Sequence, residues 1–229
     1  MIRPDLITVA LVCTASLLLL SRCGVLPQST PTPPSLEHLI AILEASDPAL
    51  PDWEYADFGF ATSELAKMGP AAAPAAPALA RALQYPRRDS YAAGKALVAI
   101  GPAAEGAIPE LTKALKNDRL EVRSIALYVL GIISEPARCA VPEIASLLWD
   151  SKSSVRITAA MALDAITGRD LVEWIYEIDP ARLSIPGESP PGKPYDDSSI
   201  ISKARTWWTE EGQYLDWSGE SNLCNPGSL

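Results

Sequence analysis

Apolar side chains along residues 35–168 return every three or four positions, the spacing of helices that bury one side. In the stretch 108–133 a first run presents Ile108, Leu111, Ala114 and Leu115, and a second presents Val122, Ile125, Ala126, Val129, Leu130 and Ile133. The polar turn KNDRLE lies between them, so the stretch reads as two helices joined by a short corner. The same pattern then recurs. Leu97, Ile100, Ile108, Pro109, Leu111 and Leu115 return as Leu130, Ile133, Val141, Pro142, Ile144 and Leu148, a constant step of 33 residues. Val122, Arg123, Ala126, Leu130 and Ile133 return as Val155, Arg156, Ala159, Leu163 and Ile166 at the same step. Leu65, Met68, Gly69, Pro70, Pro77, Leu79 and Leu83 precede their partners by 32. Self-similarity at such a period is the mark of stacked helical repeats.

The recurring phrases MGPAAAPAAPALARAL, IGPAAEGAIPELTKAL and ISEPARCAVPEIASLL stand at the junctions between units. Gly101 and Pro102 stop one helix, because glycine tolerates a left-handed backbone and proline cannot continue the hydrogen-bond ladder. Pro109 sits in the first turn of the next helix, where its missing N–H is not needed. Four helix pairs follow, at about 35–69, 70–101, 102–134 and 135–168. The first fits loosely: Ser35 caps LEHLIAIL, with Leu36, Leu39, Ile40 and Leu43 as its stripe, before the longer loop DPALPDWEYADFG. The expected fold is all-α, a right-handed α-solenoid of about four helix pairs with an irregular C-terminal cap.

The pieces ALVAIGPAAEGAIPELTKAL, LKNDRLEVRSIALYVLG and SSVRITAAMALDAITG resemble the HEAT-like repeats of bacterial proteins, named for their occurrence in phycobilin lyases. The resemblance covers 65–168 well and 35–64 weakly. It implies a ladder of arginines near the start of each second helix, bonded to an acidic residue in the preceding turn. Arg123 with Asp118 and Arg156 with Asp150 stand in those places. The ladder is structural and implies no binding role.

At the N-terminus, LITVALVCTASLLLL (6–20) is continuously apolar or small, between Arg3 and Arg22. Its length suits a secretory signal, and with flanking residues it suits an uncleaved membrane anchor. Leu20, Ser21 and Cys23 resemble a bacterial lipobox, which makes Cys23 a candidate for lipidation; Arg22 stands where that pattern has Gly, Ala or Ser. GVLPQSTPTPP (24–34) reads as a semi-extended tether. The chain therefore divides into a signal peptide or anchor (1–23), a tether (24–34), a repeat region (35–168) and a C-terminal cap (169–229).

Beyond Gly168 the period fails. RDLVEWIYEI suggests a helix with Leu171, Trp174, Ile175 and Ile178 on one face, and 184–199 is a Pro/Gly/Ser loop. Ser199 is placed to cap a last helix, IISKARTWWTEEG, with Ile200, Ala204, Trp207 and Trp208 at i, i+4, i+7 and i+8. ALDAITGRD and ARTWWTEEGQYLDW resemble the closing segment of many bacterial HEAT-like proteins. Trp207, Trp208 and Trp217 either cover the open end of the stack or form an exposed aromatic surface for a ligand such as a polysaccharide. Since helix neighbours point about 100° apart, one of Trp207 and Trp208 is expected to be buried and the other partly exposed.

Composition narrows the chemistry. The chain carries a formal net charge of −9, and its nearest approach to a basic cluster, Lys113, Lys116, Arg119 and Arg123, is interrupted by Asp118 and Glu121. Nucleic acid is therefore not an expected partner. His38 is the only histidine, which excludes a multi-histidine zinc site and a histidine-based triad. It also excludes the His-Glu iron sites of hydroxylases that share the resembled fold. IGPAAEG lacks the glycines of a phosphate loop. Cys139 and Cys224 are the cysteines outside the N-terminal segment, and in an oxidising compartment they are candidates for a disulfide. Glu210-Glu211 and Asp196-Asp197 read as solvated rather than catalytic. No cofactor is implied. The expectation is a non-enzymatic, HEAT-type interaction scaffold, with another protein as partner and the membrane met through the N-terminus. The alternatives are a bilin-lyase-like enzyme or cofactor chaperone, and a purely architectural envelope protein.

The N-terminal reading places residues 24–229 outside the cytoplasm. A C-terminal reporter active only outside the membrane should therefore be active, and a cytoplasmic signal would refute export. Cys23→Ala should release the protein from membranes only where Cys23 carries a lipid.

Overall fold

The computed structural model describes residues 34–45, 55–85, 89–172 and 198–217. The chain forms two compact units, Met1–Pro34 and Ser35–Leu229. The signal or anchor at 1–23, Cys23 and nearly all of the tether lie outside the described residues, as do Trp174, Ile175, Ile178, the 184–197 part of the Pro/Gly/Ser loop and Cys224. Among the described residues every regular element is helical and no helix is long and apolar enough to cross a membrane.

The second unit is built from α1 (Leu36–Ala45), α2 (Tyr55–Met68), α3 (Ala76–Leu83), α4 (Ser90–Ile100), α5 (Ile108–Ala114), α6 (Leu120–Ile133), α7 (Val141–Ser146), α8 (Ser153–Thr167) and α9 (Ser198–Glu210). Ser35 Oγ accepts from the His38 N–H at 3.2 Å and so caps α1. Asp89 caps α4 by accepting from the N–H groups of Tyr91 and Ala92 at 2.9 and 3.2 Å. The junction phrases are not bare turns. Gly69–Ala75, Gly101–Ala107 and Glu135–Ala140 each wind as a 3₁₀ helix that feeds the next α-helix. Pro77, Pro109 and Pro142 then fall in the first turns of α3, α5 and α7.

The odd and even helices pack in parallel series. α2 lies on α4, α4 on α6 and α6 on α8, while α1 lies on α3 and α3 on α5. Within each pair the first helix rests on its second. Leu97, Leu130 and Leu163, at equivalent positions of α4, α6 and α8, are fully buried. On α6 the burial goes beyond the expected stripe: Leu127 is buried as well, because α4, α5 and α8 cover the helix from three sides.

Two glycines set how closely the even helices approach. A Cβ on Gly94 of α4 would meet Ile125 Cγ2 of α6 at 2.9 Å. A Cβ on Gly131 of α6 would meet the Ala162 Cα of α8 at 3.4 Å. The corners have a second requirement. Gly69, Gly101 and Gly168 hold φ of 57°, 69° and 64°. At the third corner the equivalent residue is Ser134, with φ 65° and ψ −131°, a region that side-chain-bearing residues rarely enter. Its Oγ donates to the carbonyl of Ala165, near the end of α8, at 2.9 Å. That carbonyl has no intrahelical donor, so the strained corner also ties α6 to the next repeat.

The arginine ladder differs from the expected pairing. Arg123 does not meet the Asp118 carboxylate. Its Nη1 donates to the main-chain carbonyls of Asn117 and Asp118 at 2.8 and 3.0 Å. Arg156 Nη1 likewise donates to the Asp150 main-chain carbonyl at 2.8 Å. Asn117 and Asp150 each accept from the N–H two residues on, at 3.0 and 2.8 Å, so both turns are held alike. The Asp150 side chain instead reaches back one repeat: Arg123 Nη2 donates to its Oδ1 at 3.2 Å, and Arg123 Nε lies 3.0 Å from its Oδ2. The Nε contact is ionic and misses hydrogen-bond alignment.

The glycine contact yields a sign test. Gly94→Ala gains about 1 kcal/mol of helix propensity. The clash with Ile125 opposes this with an overpacking cost of about 1–3 kcal/mol. The substitution should therefore be neutral to destabilising in the native chain and stabilising in an Ile125→Ala background, as read by denaturant titration. The same sign in both backgrounds would remove Gly94 as the determinant of the α4–α6 approach.

Candidate functional site

The last described α-helix lies against the helices that precede it. α9 packs on α8 and on the turn Leu147–Trp149. Ile201 and Ala204 are fully buried and Trp207 nearly so, while Trp208 is half-buried. The inward stripe therefore runs through Ile201, which the i, i+4 spacing from Ile200 passed over; the side chain of Ile200 lies outside the described residues. Trp207 and Trp217 meet edge-to-face, with ring centres 6.0 Å apart and planes at 78°. Trp208 lies tilted against Trp207 at 6.1 Å. The Trp217 indole donates to the carbonyl of Gly212 at 2.8 Å. Gly212 has no room for a side chain, since a Cβ would meet Trp208 Cε3 at 2.7 Å.

Arginines close the cluster from outside. The guanidinium of Arg169 lies 5.4 Å from the centre of Trp207, and that of Arg138 lies 5.4 Å from the centre of Trp217. Arg205 donates through Nε and Nη2 to the Leu148 carbonyl at 3.1 and 2.7 Å. This carbonyl sits at the end of the turn, where a charged donor meets an otherwise unpaired acceptor. The exposed pairs Arg169–Glu211 and Lys203–Asp170 add about 0–1 kcal/mol each. Among the described residues the buried Trp207 indole N–H meets no hydrogen-bond acceptor.

Of the three tryptophans offered by the sequence as an aromatic surface, Trp207 and Trp217 are thus turned inward against each other. Of the three, only Trp208 is half-buried. Cys139 is disulfide-bonded. Cys224 lies outside the described residues, so its pairing with Cys139 stays an expectation.

The exposed apolar groups are elsewhere. Tyr91 and Val98 of α4 and Tyr128 of α6 are 38%, 37% and 52% exposed. Phe60 of α2 is exposed on the same series of helices. Ser63, Lys95, Tyr128 and Met161 occupy equivalent places on α2, α4, α6 and α8, and all are exposed or half-buried. At about 100° per residue, Tyr91 and Val98 fall within about 60° of Lys95 on α4. They lie on the Gly94 side of that helix, the side that meets α6 through Ile125. Tyr91, Lys95, Val98 and Tyr128 therefore form one patch across the α4–α6 seam. Sequence reasoning missed it, although Tyr128 and Val98 stand off the buried stripes and carried the signal.

The turns at the start of α6 and α8 border a polar groove of about 390 Å³, with Arg123, Glu143, Ser146 and Asp150 in its lining. Its charges are mixed, and the Arg123–Asp150 pair is already engaged in holding the two repeats together. Among the described residues no group of three or more His, Cys, Asp or Glu is placed to hold a metal ion.

As a cover, the tail should stabilise the stack it closes. Truncation after Gly168 is expected to lower the thermal midpoint and to promote aggregation through the opened end. Equal melting and solubility of the truncated and full chains would show that α9 covers nothing the fold requires.

In comparisons with known proteins, no family model, no curated protein and no solved structure matches this chain.

Proposed function

We propose that the helix pairs form a right-handed α-solenoid of HEAT-like type, serving as a non-enzymatic scaffold that binds another protein. The fold reading is supported by the parallel series of odd and even helices, by corners that recur at positive φ, and by turns that repeat their side-chain bonds one period apart. The N-terminal segment exports the domain or anchors it at the cytoplasmic membrane. That part of the reading is supported by the apolar run at 6–20 and the Pro/Thr tether behind it.

The function rests on one observation: Tyr91, Val98 and Tyr128 stay exposed on neighbouring helices, although most of α4 and α6 is buried. Contiguous exposed apolar groups on an otherwise polar surface mark a place where another macromolecule docks. An enzyme of bilin-lyase type would instead be favoured by a pocket with convergent polar groups. The polar groove at the α6 and α8 turns has its central ion pair committed to structure.

In-cell photo-crosslinking tests the reading. Tyr128→p-benzoylphenylalanine should give defined protein adducts on illumination, and Lys116→p-benzoylphenylalanine, on the exposed outer turn, should not. Adducts from neither position, or equal adducts from both, would refute a partner on the even-helix face.

A further inference from the structure

The patch on the α4–α6 seam has a charge pattern as well as an apolar one. The chain holds 28 acidic residues against 19 basic ones. Yet α4, with the sequence SYAAGKALVAI, contains no acid at all, and its single charge is Lys95. α6 carries its charges, Glu121 and Arg123, only in its first turn, well before Tyr128. Lys95 is exposed and forms no ion pair among the described residues. Several other surface cations are paired, Lys67 with Glu64, Lys113 with Glu110, Arg81 with Glu44 and Lys203 with Asp170, whereas Lys116 and Lys152 share the unpaired state of Lys95 among the described residues but lie in turns, away from the exposed apolar groups of α4 and α6.

Lys95 also stands among groups that shape its surroundings. Tyr91 is one turn before it on α4, Val98 nearly one turn after, and Tyr128 is its equivalent on the neighbouring helix. A lysine in such a place lays its aliphatic stem along apolar surface and offers the ammonium at the tip. Apolar neighbours that are covered by a partner exclude water, which strengthens a charge contact made there. The chain's overall negative charge repels an acidic partner at long range, but over more than about 10 Å that field is screened at ordinary salt. Local chemistry therefore decides what seats on the patch.

We infer that the α4–α6 patch binds an acidic peptide segment. Its carboxylate sits on Lys95, and aliphatic or aromatic side chains on either side of that carboxylate pack against Tyr91, Val98 and Tyr128. This deepens the scaffold reading and depends on it, since it names the chemistry of the partner at the same surface. A basic segment would leave Lys95 facing a like charge, and a neutral one would cover an ammonium without pairing it.

The purified full chain can be titrated with short synthetic peptides that carry two leucines around a central glutamate, and with the same peptides bearing glutamine or lysine there. Glutamate peptides should bind about fivefold more tightly than glutamine peptides, the effect of one partly screened ion pair. Lys95→Glu should reverse the order, so that lysine peptides bind best, and Tyr128→Ser should weaken all of them. Both residues are exposed, and unchanged melting of the two variants checks the fold. Equal binding of glutamate and glutamine peptides, still weakened by Tyr128→Ser, would overturn the carboxylate seat and leave the docking surface standing. Binding that neither substitution alters would place the peptide elsewhere and overturn the inference. Binding of no peptide would overturn both readings, as would capture by phosphatidylglycerol vesicles in place of peptides.

Discussion

The close approach of successive even helices is the constraint on which the rest of the domain depends. α4 meets α6 where Gly94 leaves room for Ile125, and α6 meets α8 where Gly131 faces the backbone of Ala162. Interiors are packed too tightly to absorb an added methyl group at such points. The approach fixes the spacing of the pairs, and the spacing fixes the corners. Each unit must then reverse direction at one residue with positive φ, three times a glycine and once Ser134. The Arg123–Asp150 contact and the Ser134–Ala165 bond are consequences as much as causes, since both need the next repeat to lie within reach.

That same packing explains why the exposed patch is small and placed where it is. An even helix is covered by its own partner and by the even helices before and after it, so only a narrow strip of α4 or α6 remains for solvent. The residues on that strip contribute little to the stack. Lys95, Val98 and Tyr128 on that strip are exposed. The tail works in the opposite way. Its aromatic groups have been drawn into the end of the stack, where Gly212 and the arginines close around them.

How much of this could be read from residues alone follows from what repeats. The helix pairs were legible because burial of one face imposes a period, and Leu97, Leu130 and Leu163 keep it. The glycine corners were legible because positive φ selects glycine; Ser134 was hidden because its side chain breaks that preference and is compensated by a bond to a distant carbonyl. The 3₁₀ segments were illegible, since GPAAAPA carries prolines and alanines without a stripe. The partner of Arg123 was misjudged because the nearer acid in sequence, Asp118, is not the nearer in space. Helical spacing announced that one of Trp207 and Trp208 turns inward, and Trp207 does; the inward turn of Trp217 depends on Gly212 and on a chain reversal that no periodicity announces. The patch was overlooked because Val98 and Tyr128 are apolar and off-stripe, and only the packing shows that they stay outside while Leu127 does not.

The edge-to-face pair formed by Trp207 and Trp217 also gives the molecule an optical signature. Two indoles held 6.0 Å apart at 78° share their excited states, and rings fixed in a chiral setting contribute strongly to ultraviolet circular dichroism. That contribution depends on the rings keeping one geometry, whereas the helical signal comes from the backbone of every repeat. Loosening of the tail would therefore dim the aromatic bands while the peptide bands persisted. Trp149, half exposed beside Arg205, would respond to quenchers in solvent that the buried pair does not meet. The buried pair and Trp149 thus report, by light alone, on whether α9 stays packed where it lies.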